Sequence, residues 1–209
     1  MKKLLLGFLL GVTSLLSAQE ITPSPWHVFG GFESNSQWYT NDKGLGILHP
    51  EDPLRSNNYL FVNTAYKKWT AGVQVEAYEN QALLNYNPKY QHTNLGTYFV
   101  QFKSKKVDLT GGYFYEQFGS GLLYRSWEDR ALGINNALCG ARVIYQPTES
   151  ISWKAITGKQ RSGFELSDGT VFGSDVSFDL SKMWAVKNSD LSIGFTYVGR
   201  KEADRKSVV

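Results

Sequence analysis

The chain has 209 residues, 22 Lys and Arg against 19 Asp and Glu, 14% aromatic residues, 20 glycines and one cysteine. That length sets a single domain as the default, and one cysteine excludes an intramolecular disulfide. The near balance of charge, with no basic cluster longer than Lys105-Lys106 inside the fold, excludes nucleic acid as a partner.

Residues 1–18, MKKLLLGFLLGVTSLLSA, pair a short basic start (Lys2, Lys3) with an apolar run from Leu4 to Leu16 and the small pair Ser17-Ala18. This pattern predicts a Sec signal peptide cleaved after Ala18, and the apolar run is too short for a spanning helix. No cysteine follows it, so a lipoprotein is excluded. Cleavage removes two basic residues, leaving 20 against 19 and a net charge of +1. Export is therefore expected, and no remaining stretch reaches the length of a membrane helix; a membrane protein without helices must be a barrel.

The dominant pattern downstream is alternation. In WTAGVQVEAY, Trp69, Ala71, Val73, Val75 and Ala77 share one face, while Thr70, Gly72, Gln74, Glu76 and Tyr78 share the other. Period two with one apolar and one polar face predicts a strand. The same reading gives nine strands near 26–39, 57–67, 69–79, 94–103, 106–116, 137–146, 150–160, 170–180 and 190–199. The connections at Lys68, at Ser104-Lys105 and at Pro147-Glu149 are short, that from Ser181 to Ser189 is of middle length, and 40–56, 80–93, 117–136 and 161–169 are long. Alternating short and long connections between strands of about ten residues predict an all-β, up-and-down antiparallel transmembrane β-barrel in the outer membrane. Trp69, Phe102, Tyr145 and Trp153 beside the short turns, and Trp38, Tyr39, Tyr59, Tyr113 and Tyr115 beside the long loops, suit two interfacial belts. A secreted β-sandwich or lipocalin-like barrel also alternates, but needs neither such long strands nor two belts.

Nine is odd, whereas single-chain bacterial barrels have an even number of strands. The end, GRKEADRKSVV, is charged and does not alternate. The expectation is an incomplete, N-terminal portion of a longer barrel over residues 19–199, with 200–209 as an aberrant or disordered tail. A closed eight-stranded barrel with a loose ninth segment competes with it.

The densest stretch is FYEQFGSGLLYRSWEDRALGINNALCGARV. Together with GGFESNSQWYTNDKGLG and EAYENQALLNYNPKY upstream, it resembles a Bacteroidetes family of outer-membrane proteins catalogued as a domain of unknown function. The resemblance spans roughly residues 26–198 and is strongest from Phe114 to Arg142. It implies an outer-membrane β-barrel, from longer proteins than this one, and brings no activity, substrate or catalytic residue.

Glu116 falls on the polar face of its strand with Asp108 and Thr110, and Arg142 on the polar face of the next, so a Glu116–Arg142 pair across the lumen wall is expected. The intervening loop is apolar at Leu122, Leu123, Trp127, Leu132 and Ile134, which predicts that it folds inward and constricts the channel. Its charges Arg125, Glu128, Asp129 and Arg130 would then join Glu76, Asp108, Glu116 and Arg142 in a lumen network. Three uses of that network remain open: a structural plug, a solute-binding or selectivity ring, and catalysis by Glu128-Asp129. Catalysis lacks a nucleophile or metal partner nearby, so no enzyme is expected. His27, His49 and His92 are scattered, and the acidic loop at Asp42, Glu51 and Asp52 is read as solvated rather than calcium-binding, so neither metal nor cofactor is expected. Cys139, on the apolar face of its strand, is expected to face lipid or core. The expected function is passage or binding of small solutes by a pore-type barrel. The alternative is an accessory barrel with a plugged lumen serving surface assembly or secretion. The expected partners are outer-membrane lipid, small solutes and the barrel-assembly machinery during biogenesis.

Overall fold

The computed structural model describes residues 25–202 apart from 50, 52, 80–82, 84–88, 91, 131 and 187–189. The expected signal peptide and residues 203–209 of the expected tail lie outside the described residues. Nine long strands form one antiparallel sheet: β1 (Trp26–Trp38), β2 (Leu54–Tyr66), β3 (Trp69–Glu79), β4 (His92–Lys103), β5 (Val107–Phe114), β10 (Leu138–Thr148), β11 (Ile151–Ser162), β12 (Glu165–Asp179) and β13 (Ser192–Lys201). Between β5 and β10 an insert forms two minute ladders, β6 (Gln117–Phe118) with β7 (Tyr124–Arg125) and β8 (Glu128–Asp129) with β9 (Ile134–Asn135). A one-turn helix, α1 (Leu180–Met183), capped by the Asp179 carboxylate on Lys182 N, precedes β13.

Every strand of the large sheet pairs with its sequence neighbour, giving the order β1-β2-β3-β4-β5-β10-β11-β12-β13. The sheet does not close. Among the described residues β1 pairs only with β2, and β13 only with β12. In an up-and-down meander the first and ninth strands run the same way, so direct closure would require a parallel pair unlike any other in the sheet. The ninth strand is no loose segment, because β13 pairs with β12 from Asp179↔Ser192 to Thr170↔Lys201.

One connection departs from expectation. The segment 161–169 is not a long loop: β11 runs to Ser162 and β12 starts at Glu165, joined by Gly163-Phe164. Gly163 takes a positive φ of 67°, which glycine adopts freely. The surplus length of this connection has gone into the ladder, making β12 the longest strand at 15 residues.

The two faces of the sheet are chemically opposite. The convex face carries Trp26, Val28, Phe32, Leu60, Val62, Val73, Val100, Leu109, Phe172, Ile193, Phe195 and Tyr197, all exposed. Aromatic neighbours stack along its short-turn end, Trp26 on Tyr66 at 4.5 Å and Trp69 beside Phe102 at 5.0 Å between ring centroids. The concave face holds the buried polar groups, including Asn57, Glu76, Thr110 and Arg161. Two expected belt residues sit elsewhere. Tyr59 faces the concave side and is buried against Tyr78, because the register Tyr59↔Glu76 puts it on the polar face. Tyr115 lies past the end of β5, and its hydroxyl donates to Asn135 Oδ1 at 3.2 Å.

Candidate functional site

The concave face gathers its charges in two clusters linked by the insert. The first is centred on Glu76 of β3 and Arg161 of β11, strands separated in the sheet by β4, β5 and β10. Arg161 Nη1 and Nη2 donate to the two carboxylate oxygens of Glu76 at 2.8 and 2.6 Å, and Nε donates to the Gly163 carbonyl at 2.6 Å. Gln74 Nε2 and the Tyr78 hydroxyl complete the carboxylate at 2.9 and 2.8 Å. Both charged side chains are sealed from solvent, at 0% and 1% exposure. The register of β3 with β4 shifts beside Glu76, and Gly96 lies where any side chain would collide with the carboxylate. Tyr59, Tyr78, Tyr90 and Phe164 surround the pair, with the Arg161 guanidinium over the rings of Tyr90 and Phe164. Burial pushes the Tyr90 hydroxyl above the ordinary phenol range, so it stays protonated and donates to the Asn135 carbonyl of the insert at 3.2 Å.

The second cluster lies on β5, β10 and β11. Arg142 Nη2 donates to Thr110 Oγ1 at 3.0 Å and to Asp108 Oδ1 at 3.4 Å, while Nη1 stands 3.7 Å from Glu116 Oε2. Glu116 has a closer partner in Lys154 Nζ, at 2.8 Å. Gln101 Nε2 donates to both Asp108 oxygens at 2.8 and 3.0 Å. Register explains the grouping, since Arg142↔Thr110 and Ile144↔Asp108 place the two strands' polar residues on one face.

The insert reaches between the clusters. Arg130 binds Glu33 of β1 at 2.5 Å, Gln74 Oε1 of β3 at 3.1 Å and Glu128 at 3.3 Å, with its guanidinium 4.4 Å from the centre of the Tyr59 ring. Its base is clamped by Ser126, whose hydroxyl accepts from Glu116 N at 2.8 Å.

Of the residues the sequence singled out, Asp108, Glu116 and Arg142 meet in one group, and Glu128 and Arg130 in another. Glu76 pairs with Arg161, which lies in β11 and not in the loop expected over 161–169. The Ser162-Gly163 pair in KQRSGFEL marks the hairpin turn, but unbroken alternation would put Arg161 on the apolar face with Trp153 and Ala155; a register shift between Lys159 and Arg161 turns it inward. Arg125 and Asp129 join neither cluster. Arg125 lies over the Trp127 ring, and Asp129 Oδ1 accepts from Leu132 N at 3.1 Å, closing a local turn. The apolar anchor also differs from expectation. Leu122 is 91% exposed, and Leu123 and Leu132 are exposed too; the insert is held instead by Phe118, packed with Phe114, Leu138, Ile156 and Val171. Leu122 and Leu123 follow a tight 3-10 turn at Gly119–Gly121 that turns them outward, while the β6–β7 ladder fixes Phe118 inward.

Residues 1–208 match the model of a family of unknown function, DUF6029. The chain belongs to this family. No curated protein matches it significantly. Family membership therefore assigns no activity to the two clusters, and their geometry carries the reading. Among the described residues no group of three or more His, Cys, Asp or Glu is placed to hold a metal ion. The carboxylates are engaged by guanidinium, ammonium and amide groups, an arrangement suited to holding the insert against the sheet.

Proposed function

We propose that this chain forms the wall of an outer-membrane β-barrel through which, or in which, small solutes pass or bind, narrowed by the insert between β5 and β10. One observation carries the reading: large apolar side chains stand exposed on the convex face while ionised groups are buried on the concave face. A water-soluble sheet protein buries its apolar face, and contiguous exposed apolar patches larger than a few hundred Å² mark an interaction surface. Lipid is the occupant that an apolar face of this breadth suits. The alternating residues from Trp69 to Ala77 cover about 27 Å of strand at about 3.3 Å per residue, matching a tilted membrane strand of about 9–11 residues. The aromatic neighbours at the short-turn end fit an interfacial belt. The signal-peptide pattern of residues 1–18 supports export to that membrane.

A second reading, an accessory barrel with a filled lumen serving surface assembly or secretion, draws support from the sealed Glu76–Arg161 pair and the anchored insert. Flotation of the folded protein with lipid vesicles, together with heat-dependent migration on gels, tests the barrel. Recovery of the protein only in the soluble fraction would refute it. Conductance in planar bilayers then separates an open lumen from a filled one.

A further inference from the structure

The concave face contains a cavity of about 420 Å³ that neither charge cluster fills. It falls in the range of about 300–1,000 Å³ usual for small-molecule sites. Phe61 of β2, Phe99 of β4 and Phe114 of β5 line it, with Asn63, Gln101 and Arg142 among its polar groups. Two of the rings lean over glycines of the neighbouring strand. A side-chain carbon at Gly31 would stand 2.9 Å from Phe61 Cε1, and one at Gly72 would stand 2.5 Å from Phe99 Cε1. Glycine at these two positions lets the rings lie close against the strand beside them, where they line the cavity.

The charges on its lining are already matched. Arg142 is held by Asp108 and Glu116, and Arg130 by Glu33 and Glu128. Among the described residues, an anionic solute would find no free cation there, and a cationic one no free carboxylate. What remains are flat apolar rings, the Asn63 amide and the Oε1 of Gln101, whose Nε2 is held by Asp108. A sugar ring matches this set. Its C–H-bearing face packs on an aromatic ring, and its hydroxyls donate to amide oxygens and accept from an amide N–H.

We infer that this cavity is a binding site for a neutral, polyhydroxylated solute of mono- or disaccharide size. The inference rests on the proposed reading of the concave face as a lumen wall. Phe61 and Phe99 provide the stacking surface, the Asn63 amide donates to and accepts from the hydroxyls, and Gln101 Oε1 accepts from a further one.

The test is equilibrium binding of radiolabelled maltose, with glutamate as the anionic comparison, to the full chain folded in detergent and again in lipid vesicles. Saturable maltose binding in the millimolar range is expected in both settings. Phe99→Leu, which keeps bulk but removes the ring, and Gln101→Leu, which removes the amide, should each weaken it about tenfold, the size of one well-placed contact. Leu60→Ala on the convex face should leave it unchanged. If one variant fails to fold, the other decides. Absence of saturable maltose binding, preference for glutamate, or wild-type binding by the folded variants overturns the sugar site. Vesicle flotation is scored separately, so failure to insert counts against the barrel while the detergent titration still decides the sugar site.

Discussion

Glu76 and Arg161 form a two-pronged, fully buried ion pair between strands that three others separate in the sheet. The pair therefore ties one side of the concave space to the other, through direct hydrogen bonds between side chains sealed from solvent. Breaking one partner of a desolvated pair costs far more than the pair itself contributes, because the survivor is left charged and unsatisfied.

Arg161→Ala should accordingly destabilise the folded protein by about 3–5 kcal/mol. The combined change Glu76→Gln and Arg161→Met should be milder than the single one, since it removes both charges and keeps most of the volume. Urea midpoints of detergent-folded protein provide the measurement. The wild-type midpoint should also vary little with salt, because buried charges are weakly screened. A double variant as unstable as the single one would mean that shape, not charge, governs the site.

The insert should depend on Phe118 and not on its leucines. Phe118 is 2% exposed and packs so closely that a side chain at Gly173 would stand 3.3 Å from its ring. Phe118→Ala should cost about 3–5 kcal/mol, as large-to-small core changes do. Leu122→Ala should stay within about 0.5 kcal/mol, as exposed substitutions do. Limited proteolysis across residues 117–136 reads both variants, and only the first should open the segment to cleavage.

Arg142→Ala should be milder than Arg161→Ala. Lys154 still neutralises Glu116 after the change, and Gln101 still binds Asp108 through both oxygens. A loss of about 1–3 kcal/mol is expected, the range for an unsatisfied buried polar group. Lys154→Met in addition to Arg142→Ala should be more than additive, because Glu116 then loses both cations. A double-variant cycle on urea midpoints checks this, and strict additivity would show that the three groups are not one network.

Period-two alternation was enough to place all nine strands, because a sheet with two chemically distinct faces writes its register directly into the sequence. It also put Asp108 and Arg142 on one face, since their positions within β5 and β10 decide that. Glu116, expected on the same strand as Asp108, lies past the end of β5 and reaches Arg142 and Lys154 from there. Contacts across the concave space were not legible. Arg161 finds Glu76 only because the sheet curls and a register shift after Lys159 turns its side chain inward, and neither event leaves a local pattern. Leu122 and Phe118 illustrate the same gap. Both are apolar residues in one insert, and only the turn geometry around Gly119–Gly121 decides which of them is buried.

The orientation of the proposed barrel follows from where its turns lie. The connections at residues 67–68, 104–106 and 149–150 are short and gather at the end of the sheet marked by Trp26, Tyr66, Trp69 and Phe102. The longer connections, from β1 to β2, from β3 to β4 and from β5 to β10, leave and rejoin the sheet at its other end. Outer-membrane barrels keep short turns in the periplasm and long loops outside. Lys43 and Lys105 are both exposed and sit at opposite ends, so they report the two sides without disturbing a buried contact. In a Cys139→Ser background, Lys43→Cys should react with a membrane-impermeant maleimide on intact cells, and Lys105→Cys only after the membrane is breached. Cys139 itself pairs opposite Tyr113 on the convex face, so removing it leaves both charge clusters intact. Equal labelling of the two sites on intact cells would refute this orientation, and labelling of Lys105→Cys alone would invert it.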